Sequence, residues 1–174
     1  MARFFLRLGG ALALLPYVYE DVEQDESALP QSFAVVVLAS LATGAAYFPQ
    51  FGWAGLLAGT VAAVLAWLGW SWLAFHIGVQ YLPEPDTEAD WGQLLRTTGF
   101  ATAPGILRII AIMPEAHGPV FILTWVWMLA AFVVAVRQAL DYKSTARAVL
   151  VCLAGAAIYL AALFLLPAAC PLEA

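Results

Sequence analysis

The stretch RTTGFATAPGILRII, residues 96–110, is an apolar run that contains several residues unsuited to an uninterrupted helix. Pro104 cannot donate a backbone hydrogen bond to the Phe100 carbonyl, and its ring clashes with the preceding turn. Gly99 and Gly105 allow the backbone to bend or another helix to approach closely. The stretch therefore predicts a membrane segment that is kinked at Pro104.

Arg108 places a full charge inside the same segment, roughly 9 Å from Pro114 at about 1.5 Å per residue. Three interpretations stay open. The side chain snorkels to the outer headgroups, donates to backbone carbonyls released by the break at Pro104, or belongs to a pore or anion site. Snorkelling predicts that Arg108→Leu lowers thermal stability and that Arg108→Lys mostly restores it.

The composition around this stretch is that of a membrane protein. The chain has 174 residues, of which 64% are hydrophobic and 11% charged, and its mean hydropathy is +0.87. Soluble domains average about 45–50% apolar and about 25% charged residues. The net charge of −5 gives no indication of nucleic-acid binding. Cys152 and Cys170 are far apart and outside any C-x-x-C motif, so neither a disulfide scaffold nor a metal site is predicted.

Five segments approach the roughly 20 apolar residues that a helix needs to cross a bilayer. The sequence thus predicts one all-α polytopic domain over residues 1–174, without internal repeats. Its predicted spans are residues 31–47, 52–82, 94–113, 119–136 and 145–166, the third of them kinked at Pro104.

The first 16 residues, MARFFLRLGGALALLP, have two interpretations. One is a short interfacial helix, with an apolar face flanked by Arg3 and Arg7. The predicted apolar face consists of Phe4, Phe5, Leu8, Leu12 and Leu15. The other is a signal peptide, with residues 11–13 resembling a cleavage site. We expect the interfacial helix, because it agrees with the predicted topology.

The distribution of lysine and arginine predicts the orientation. With a cytoplasmic N-terminus and five crossings, six of the seven cations lie at cytoplasmic ends, and Arg108 is the exception. The six are Arg3, Arg7, Arg96, Arg137, Lys143 and Arg147. The C-terminus is then outside.

Small residues that follow helical spacing predict where helices pack in the membrane. One such seam occurs in the second predicted span and consists of Gly55, Gly59, Ala62 and Ala66. We expect it to pack inside the monomer, and a homo-oligomer interface is the alternative.

Three stretches together resemble the Yip domain family (the Ypt/Rab-interacting-protein domain) in its short bacterial form. They are PYVYEDVEQDESALPQSFAVVVLASLATG at 16–44, LLRTTGFATAPGILRIIAIMP at 94–114 and WMLAAFVVAVRQALDYKSTARAV at 127–149. The resemblance implies five membrane spans, a cytosolic N-terminus and a C-terminus across the membrane, in agreement with the charge distribution. The likeness to the bacterial form implies a location in the inner membrane of a bacterium.

Eukaryotic relatives in this family act in the early secretory pathway and bind prenylated small GTPases. They carry an Asp-Leu-Tyr-Gly-Pro signature before the first span and usually a long cytosolic tail. This chain has neither, and PYVYEDVE stands in the corresponding region. The resemblance therefore does not extend to GTPase binding.

The sequence predicts no enzyme, no metal site and no cofactor. Ser71 and His76 are five residues apart and fall on different helix faces. Ser40 lacks the G-x-S-x-G context of a nucleophile elbow, and no metal-binding helix motif occurs. We expect His76 to be a packing residue.

Two non-catalytic functions remain. The first is a membrane scaffold or adaptor that contacts the bilayer and other membrane proteins. Its predicted partner surface consists of Tyr17, Tyr19, Glu20, Asp21, Glu23, Arg137, Asp141 and Arg147. The second is a subunit of an oligomeric channel or transporter that uses the broken third span and Arg108. The scaffold is the preferred prediction.

Overall fold

A computed structural model describes residues 2–84 and 89–169, with side chains through residue 158. Every element in these ranges is helical, which confirms the all-α prediction. The α-helices are α1 (Ala2–Leu12), α2 (Pro16–Gln24), α3 (Leu29–His76), α4 (Trp91–Ala101), α5 (Pro114–Ala139) and α6 (Thr145–Ala169). Shorter elements are a 3₁₀ turn (Glu26–Ala28), a π-helical turn (Ile77–Tyr81) and a 3₁₀ segment (Ala103–Ile112). Pro85, a predicted end of the second span, lies outside the described residues.

Helix α3 folds back on itself at Gly52, where φ is 59° and ψ is −145°. This conformation costs little only for glycine. Residues that precede the bend contact residues that lie at a similar distance after it. Gly44 packs directly against the Leu56 carbonyl and Thr60, and a Cβ atom at Gly59 would lie 3.0 Å from the Gly44 Cα atom. The two halves therefore form an antiparallel helical hairpin.

The predicted glycine seam divides between two environments. Gly55 and Gly59 lie inside the α3 hairpin, against Tyr47 and Gly44 respectively. Ala66 lines an internal cavity, whereas Ala62 is exposed. Only the first two residues of the seam hold the hairpin together.

Helix α4 and the 3₁₀ segment correspond to the stretch at which the sequence is interrupted. Helix α4 begins with a capping box, in which the Gln93 amide donates to Asp90 at 3.0 Å and the Asp90 amide donates to Gln93 at 2.7 Å. It ends at Ala101, and Pro104 lies in the first turn of the following 3₁₀ segment. Ten residues of 3₁₀ helix is long, since most such runs span three or four residues.

Glycines allow this segment to pack closely. A Cβ atom at Gly99 would lie 2.7 Å from the Ser32 Cβ atom. At Gly105 it would lie 3.1 Å from the Ala39 Cβ atom and 3.2 Å from the Met128 sulfur. The segment is thus wedged between α3 and α5.

An N-terminal layer, residues 2–24, packs against the bundle through α1 and α2. The Trp127 indole of α5 donates to the Leu12 carbonyl at 2.9 Å, and Phe4, Leu8 and Leu12 pack against the core. Arg7 is 2% exposed, so the prediction that it flanks the apolar face of α1 is wrong. Its carboxylate partners at Asp21 and Asp25 turn it inward. Phe5, predicted on the apolar face of this interfacial helix, is 64% exposed and does not pack against the core.

The described residues contain two helical stretches that are long and apolar enough to cross a membrane, Glu26–Tyr81 and Pro114–Ala139. A shorter apolar helix covers Thr145–Ile158. Only 6% of the most apolar window in the first stretch is buried, and 28% in the second. The core helix of a soluble protein would bury most of such a window, so these surfaces support a membrane protein.

Candidate functional site

Arg108 extends from the 3₁₀ segment to two neighbouring helices. Its Nε atom donates to the Thr124 hydroxyl of α5 at 3.0 Å, and its Nη1 atom donates to the Thr43 hydroxyl of α3 at 3.2 Å. The guanidinium carbon also lies over the Phe121 ring, 4.9 Å from its centroid, which is within the range of a cation–π contact. Arg108 thereby links three elements of the bundle.

The two threonines accept these bonds because their protons are used elsewhere. The Thr43 hydroxyl donates to the Ala39 carbonyl at 2.9 Å, and the Thr124 hydroxyl donates to the Val120 carbonyl at 2.8 Å. A hydroxyl has one proton and two lone pairs, so its lone pairs remain for the guanidinium. Neither threonine is charged, and the ion pairs among the described residues do not include Arg108. The positive charge is solvated by dipoles but not neutralised.

A cavity of about 170 Å³ adjoins this charge, between the two halves of α3, the 3₁₀ segment and α5. Its walls are mostly apolar and include three tryptophans. The hydroxyl and cationic groups in its lining are those of Ser40, Thr43, Thr102 and Arg108. The Trp70 Nε1 atom, also in the lining, has no hydrogen-bond partner among the described residues. The lining contains no acidic side chain, so the cavity has the electrostatic character of an anion site.

Ser40 is a polar group in the cavity lining that has no hydrogen-bond partner among the described residues. It is 3% exposed, and its hydroxyl takes part in none of the hydrogen bonds made by the described residues. Thr102, by contrast, donates to the Gly99 carbonyl at 2.7 Å. Ser40 therefore offers the cavity a free hydroxyl donor.

The contacts of Arg108 fit neither of its two structural interpretations. At about 2.0 Å per residue in the 3₁₀ segment, the Arg108 backbone lies roughly 12 Å from Pro114. Thr124, which holds the guanidinium, lies roughly 15 Å along α5 from Pro114. The side chain thus does not extend toward the Pro114 end, as snorkelling requires, and its bonds end on hydroxyls instead of released carbonyls.

Sequence reasoning missed Thr43 and Thr124 as partners of this charge and Ser40 as a member of the same cavity lining. Each is an isolated hydroxyl in an apolar helix, and that pattern is common because such a group can bond its own helix backbone. The one available signal was the presence of Arg108, which requires polar partners somewhere in the membrane.

The residues of the predicted partner surface lie in different environments. Tyr17 is 65% exposed, Glu20 is exposed, and the Asp21 side chain is 41% exposed although it pairs with Arg3 and Arg7. Tyr19 and Glu23 are buried, at 0% and 7% exposure, so they do not form part of this surface. Tyr19 donates to the Ala11 carbonyl at 3.2 Å within the N-terminal layer.

Glu23 links the N-terminal layer to α4. Its backbone carbonyl accepts from the Arg96 Nη2 atom at 2.5 Å and from the Arg96 Nε atom at 3.2 Å. Its carboxylate accepts from the Gln93 side-chain Nε2 atom at 3.2 Å. Burial, together with the nearby negative charge of Asp141, raises the pKa of the Glu23 carboxyl to about 7. Arg96, counted as a cytoplasmic cation, is thus used to hold α2 on α4.

The other predicted surface residues border the loop between α5 and α6. Arg137 Nε donates to the Tyr142 carbonyl at 3.2 Å, and the Tyr142 hydroxyl donates to the Leu82 carbonyl at 2.7 Å. Arg147 donates to the Pro83 carbonyl at 2.8 Å and is exposed, as is Asp141. We call this end of the bundle the polar end; it comprises α2, residues 82–84, the start of α4 and residues 137–147.

Two of the candidate catalytic groups, Ser71 and His76, form hydrogen bonds within the bundle. The Ser71 hydroxyl lies 2.9 Å from the Thr98 hydroxyl, which also accepts from Trp67, and His76 bonds the Trp72 carbonyl at 3.0 Å. In the part of the chain that the structure describes, His, Cys, Asp and Glu form no group of three that could hold a metal ion.

The family model of the Yip1 domain matches residues 13–166, nearly the whole chain. This match confirms the resemblance derived from residues 16–44, 94–114 and 127–149. No curated protein and no solved structure is similar enough to the chain to count as a match.

Proposed function

The chain belongs to the Yip1 domain family, and from this premise we propose that it is a five-span membrane protein that acts as a non-catalytic scaffold or adaptor. Its preferred partners are other membrane proteins, or further copies of itself, that approach the polar end. The observation that carries the proposal is the hydrogen bonding at that end, which joins several segments and surrounds them with exposed polar groups.

Helix lengths support five crossings. Each half of the α3 hairpin, residues 29–51 and 53–76, is about 35 Å long at 1.5 Å per residue. Helix α4 and the 3₁₀ segment together extend about 36 Å, although each alone is too short to cross a hydrocarbon core of about 30 Å. Helices α5 and α6 supply the remaining crossings, and a kink at Pro104 belongs to this proposal.

The charge distribution supports a cytoplasmic N-terminus, and the resemblance to the short bacterial form of the family supports a location in the inner membrane of a bacterium. Arg96, Arg137 and Arg147 lie at the polar end, and Arg3 and Arg7 pair with acids of the N-terminal layer. A reporter that is active only in the cytoplasm should be silent when fused after residue 174; activity there would contradict the topology. Intact-mass measurement should find residues 1–13 retained, whereas their loss would restore the signal-peptide interpretation.

The rigidity of the polar end supports docking. Arg96, Tyr142 and Arg147 each donate to a backbone carbonyl of another segment, so the exposed groups around them are held at defined positions. A preorganised surface loses little conformational entropy when a partner binds. Tyr17 and Glu20 extend from this end without packing against the core.

Site-specific photo-crosslinking in intact cells tests the scaffold. A photoreactive residue at Glu20 should give one discrete protein adduct, which Tyr17→Ala and Arg147→Ala should weaken. The same residue at Trp53, which is 72% exposed beyond the α3 bend, is the matched control and should not give that adduct. The scaffold proposal fails if the two positions give the same adducts or if Glu20 gives none.

The alternative, a subunit of a channel or transporter, is favoured by one observation, the Arg108 charge beside the cavity. Anion flux into proteoliposomes that depends on Arg108 would establish it. Anion flux equal to that of protein-free vesicles would exclude the channel or transporter and leave the scaffold as the proposed function.

A further inference from the structure

Arg108 is a half-buried cation whose hydrogen-bonding capacity is only partly used. A guanidinium carries five N–H donors, and the described structure uses one at Nε and one at Nη1. Its Nη2 atom makes no hydrogen bond within residues 2–84 and 89–158. An unneutralised charge in an apolar surrounding is costly, so an anion in the adjoining cavity would be favourable.

The cavity offers donors and no competing anion. The guanidinium and the unpartnered Ser40 hydroxyl are both in its lining, whereas Thr43 and Thr102 have already donated their protons to carbonyls. A ligand that presents only acceptor oxygens fits this set. A phosphate group does so, and two of its oxygens match the planar fork of a guanidinium.

The apolar walls indicate where the anion comes from. Trp125 lines the cavity and is 48% exposed, and Ala63 and Ala66 on the opposite wall are half-buried. The cavity therefore reaches the apolar outer surface between α3 and α5. A free phosphate ion would have to lose its full hydration to enter, whereas a lipid phosphodiester carries one charge and brings acyl chains that match this surface.

We propose that the Arg108 cavity binds the phosphate group of a bilayer phospholipid, held by the Arg108 guanidinium and the Ser40 hydroxyl, with the acyl chains leaving past Trp125. The lipid neutralises the charge that the protein leaves unpaired. This site is independent of the scaffold function, since it lies inside the bundle and not at the polar end.

The test uses the full chain, delipidated in a neutral detergent, and measures adducts by native mass spectrometry together with the thermal unfolding temperature. Dioleoyl phosphatidylglycerol should form a one-to-one adduct and raise Tm. Dioleoylglycerol, which has the same chains without phosphate, should do neither. Inorganic phosphate should neither raise Tm nor displace the lipid; if it does both, the ligand is a free anion and the lipid proposal is wrong.

Variants locate the site. Arg108→Met should weaken phosphatidylglycerol binding at least tenfold, and Ser40→Ala about tenfold, the loss expected for one hydrogen bond to a charged group. Arg3→Met removes a cation that is 65% exposed in its side chain and should bind as wild type. Unchanged binding in both cavity variants would overturn the proposal. Ser40→Ala keeps the test decisive if Arg108→Met does not fold.

Discussion

Arg7 in the N-terminal layer and Arg108 in the 3₁₀ segment are both inward-facing arginines, but they have different partners. Arg7 donates to Asp21 at 2.7 Å, to Asp25 at 2.6 Å and to the Gln31 side chain at 3.3 Å. Arg108 donates to two threonine hydroxyls. The first charge is compensated by carboxylates, and the second is surrounded only by dipoles and an aromatic ring.

The difference separates a structural arginine from a binding arginine. Arg7 uses one donor on each of its three nitrogens, so it joins α1 to α2 and to the start of α3, and its charge is compensated. Arg108 keeps a net charge and unused donors beside a cavity. Removing Arg7 would leave Asp21 and Asp25 with only the exposed Arg3 as their cation, whereas removing Arg108 leaves no charge behind.

The largest effect is expected for Arg7→Met, because Asp21 and Asp25 lose their buried cation and keep only the exposed Arg3. We expect Tm in detergent to fall on the order of 10 °C. Arg3→Met is the matched control, since Arg3 bonds the same Asp21 at 2.7 Å but is 65% exposed in its side chain. Exposed pairs contribute little, so its Tm should stay within about 2 °C of wild type. Equal falls in both variants would contradict the distinction.

The stability of the protein should depend on pH through the Glu23 carboxyl in the N-terminal layer. Its folded pKa of about 7 lies above the reference value of 4.5, so the native state binds more protons than the unfolded state between these values. Stability should therefore fall as pH rises from 4.5 to 7. Glu23→Gln should remove this slope and raise Tm at pH 8 on the order of 5 °C.

Glu115→Gln, at an exposed position at the start of α5, is the control for this profile. It should keep the wild-type slope between pH 4.5 and 7. A flat wild-type profile would show that the Glu23 carboxyl is not held in a buried environment.

A smaller effect is expected where the N-terminal layer meets α5. Trp127→Phe removes the donor to the Leu12 carbonyl, which should cost about 1 kcal/mol and lower Tm by about 2–4 °C. Hydrogen exchange should rise in residues 2–12 and not in α5. Trp53→Phe, at a position that is 72% exposed, should leave both measurements unchanged.

The smallest effect is expected for Arg108→Met in lipid-free detergent. Thr43 and Thr124 keep their bonds to the Ala39 and Val120 carbonyls, and no carboxylate loses a partner. Tm should stay within about 2 °C of wild type. This expectation replaces the prediction from snorkelling, in which Leu destabilises and Lys restores. A fall as large as that of Arg7→Met would make Arg108 a structural residue.

Much of the fold was readable from local patterns. Apolar runs predicted helices because a membrane segment must satisfy its backbone internally. Asp90 and Gln93 carry the signature of a helix start, and Gly52 occurs where the α3 hairpin turns. These signals depend only on residues that are close in sequence, so they can be recognised before the tertiary structure is known.

The environment of each charge was decided by the tertiary structure. The sequence alone determined an all-helical membrane protein of the Yip1 family and the position of Arg108 in an apolar segment. It did not determine that Arg7 and Glu23 are buried or that Ser40 and Thr43 adjoin Arg108. Arg108 and Thr43 are 65 positions apart, and their contact depends on how three helices rotate and pack. Hydropathy and spacing describe one helix at a time, whereas the partner of a buried charge is a property of the assembled bundle.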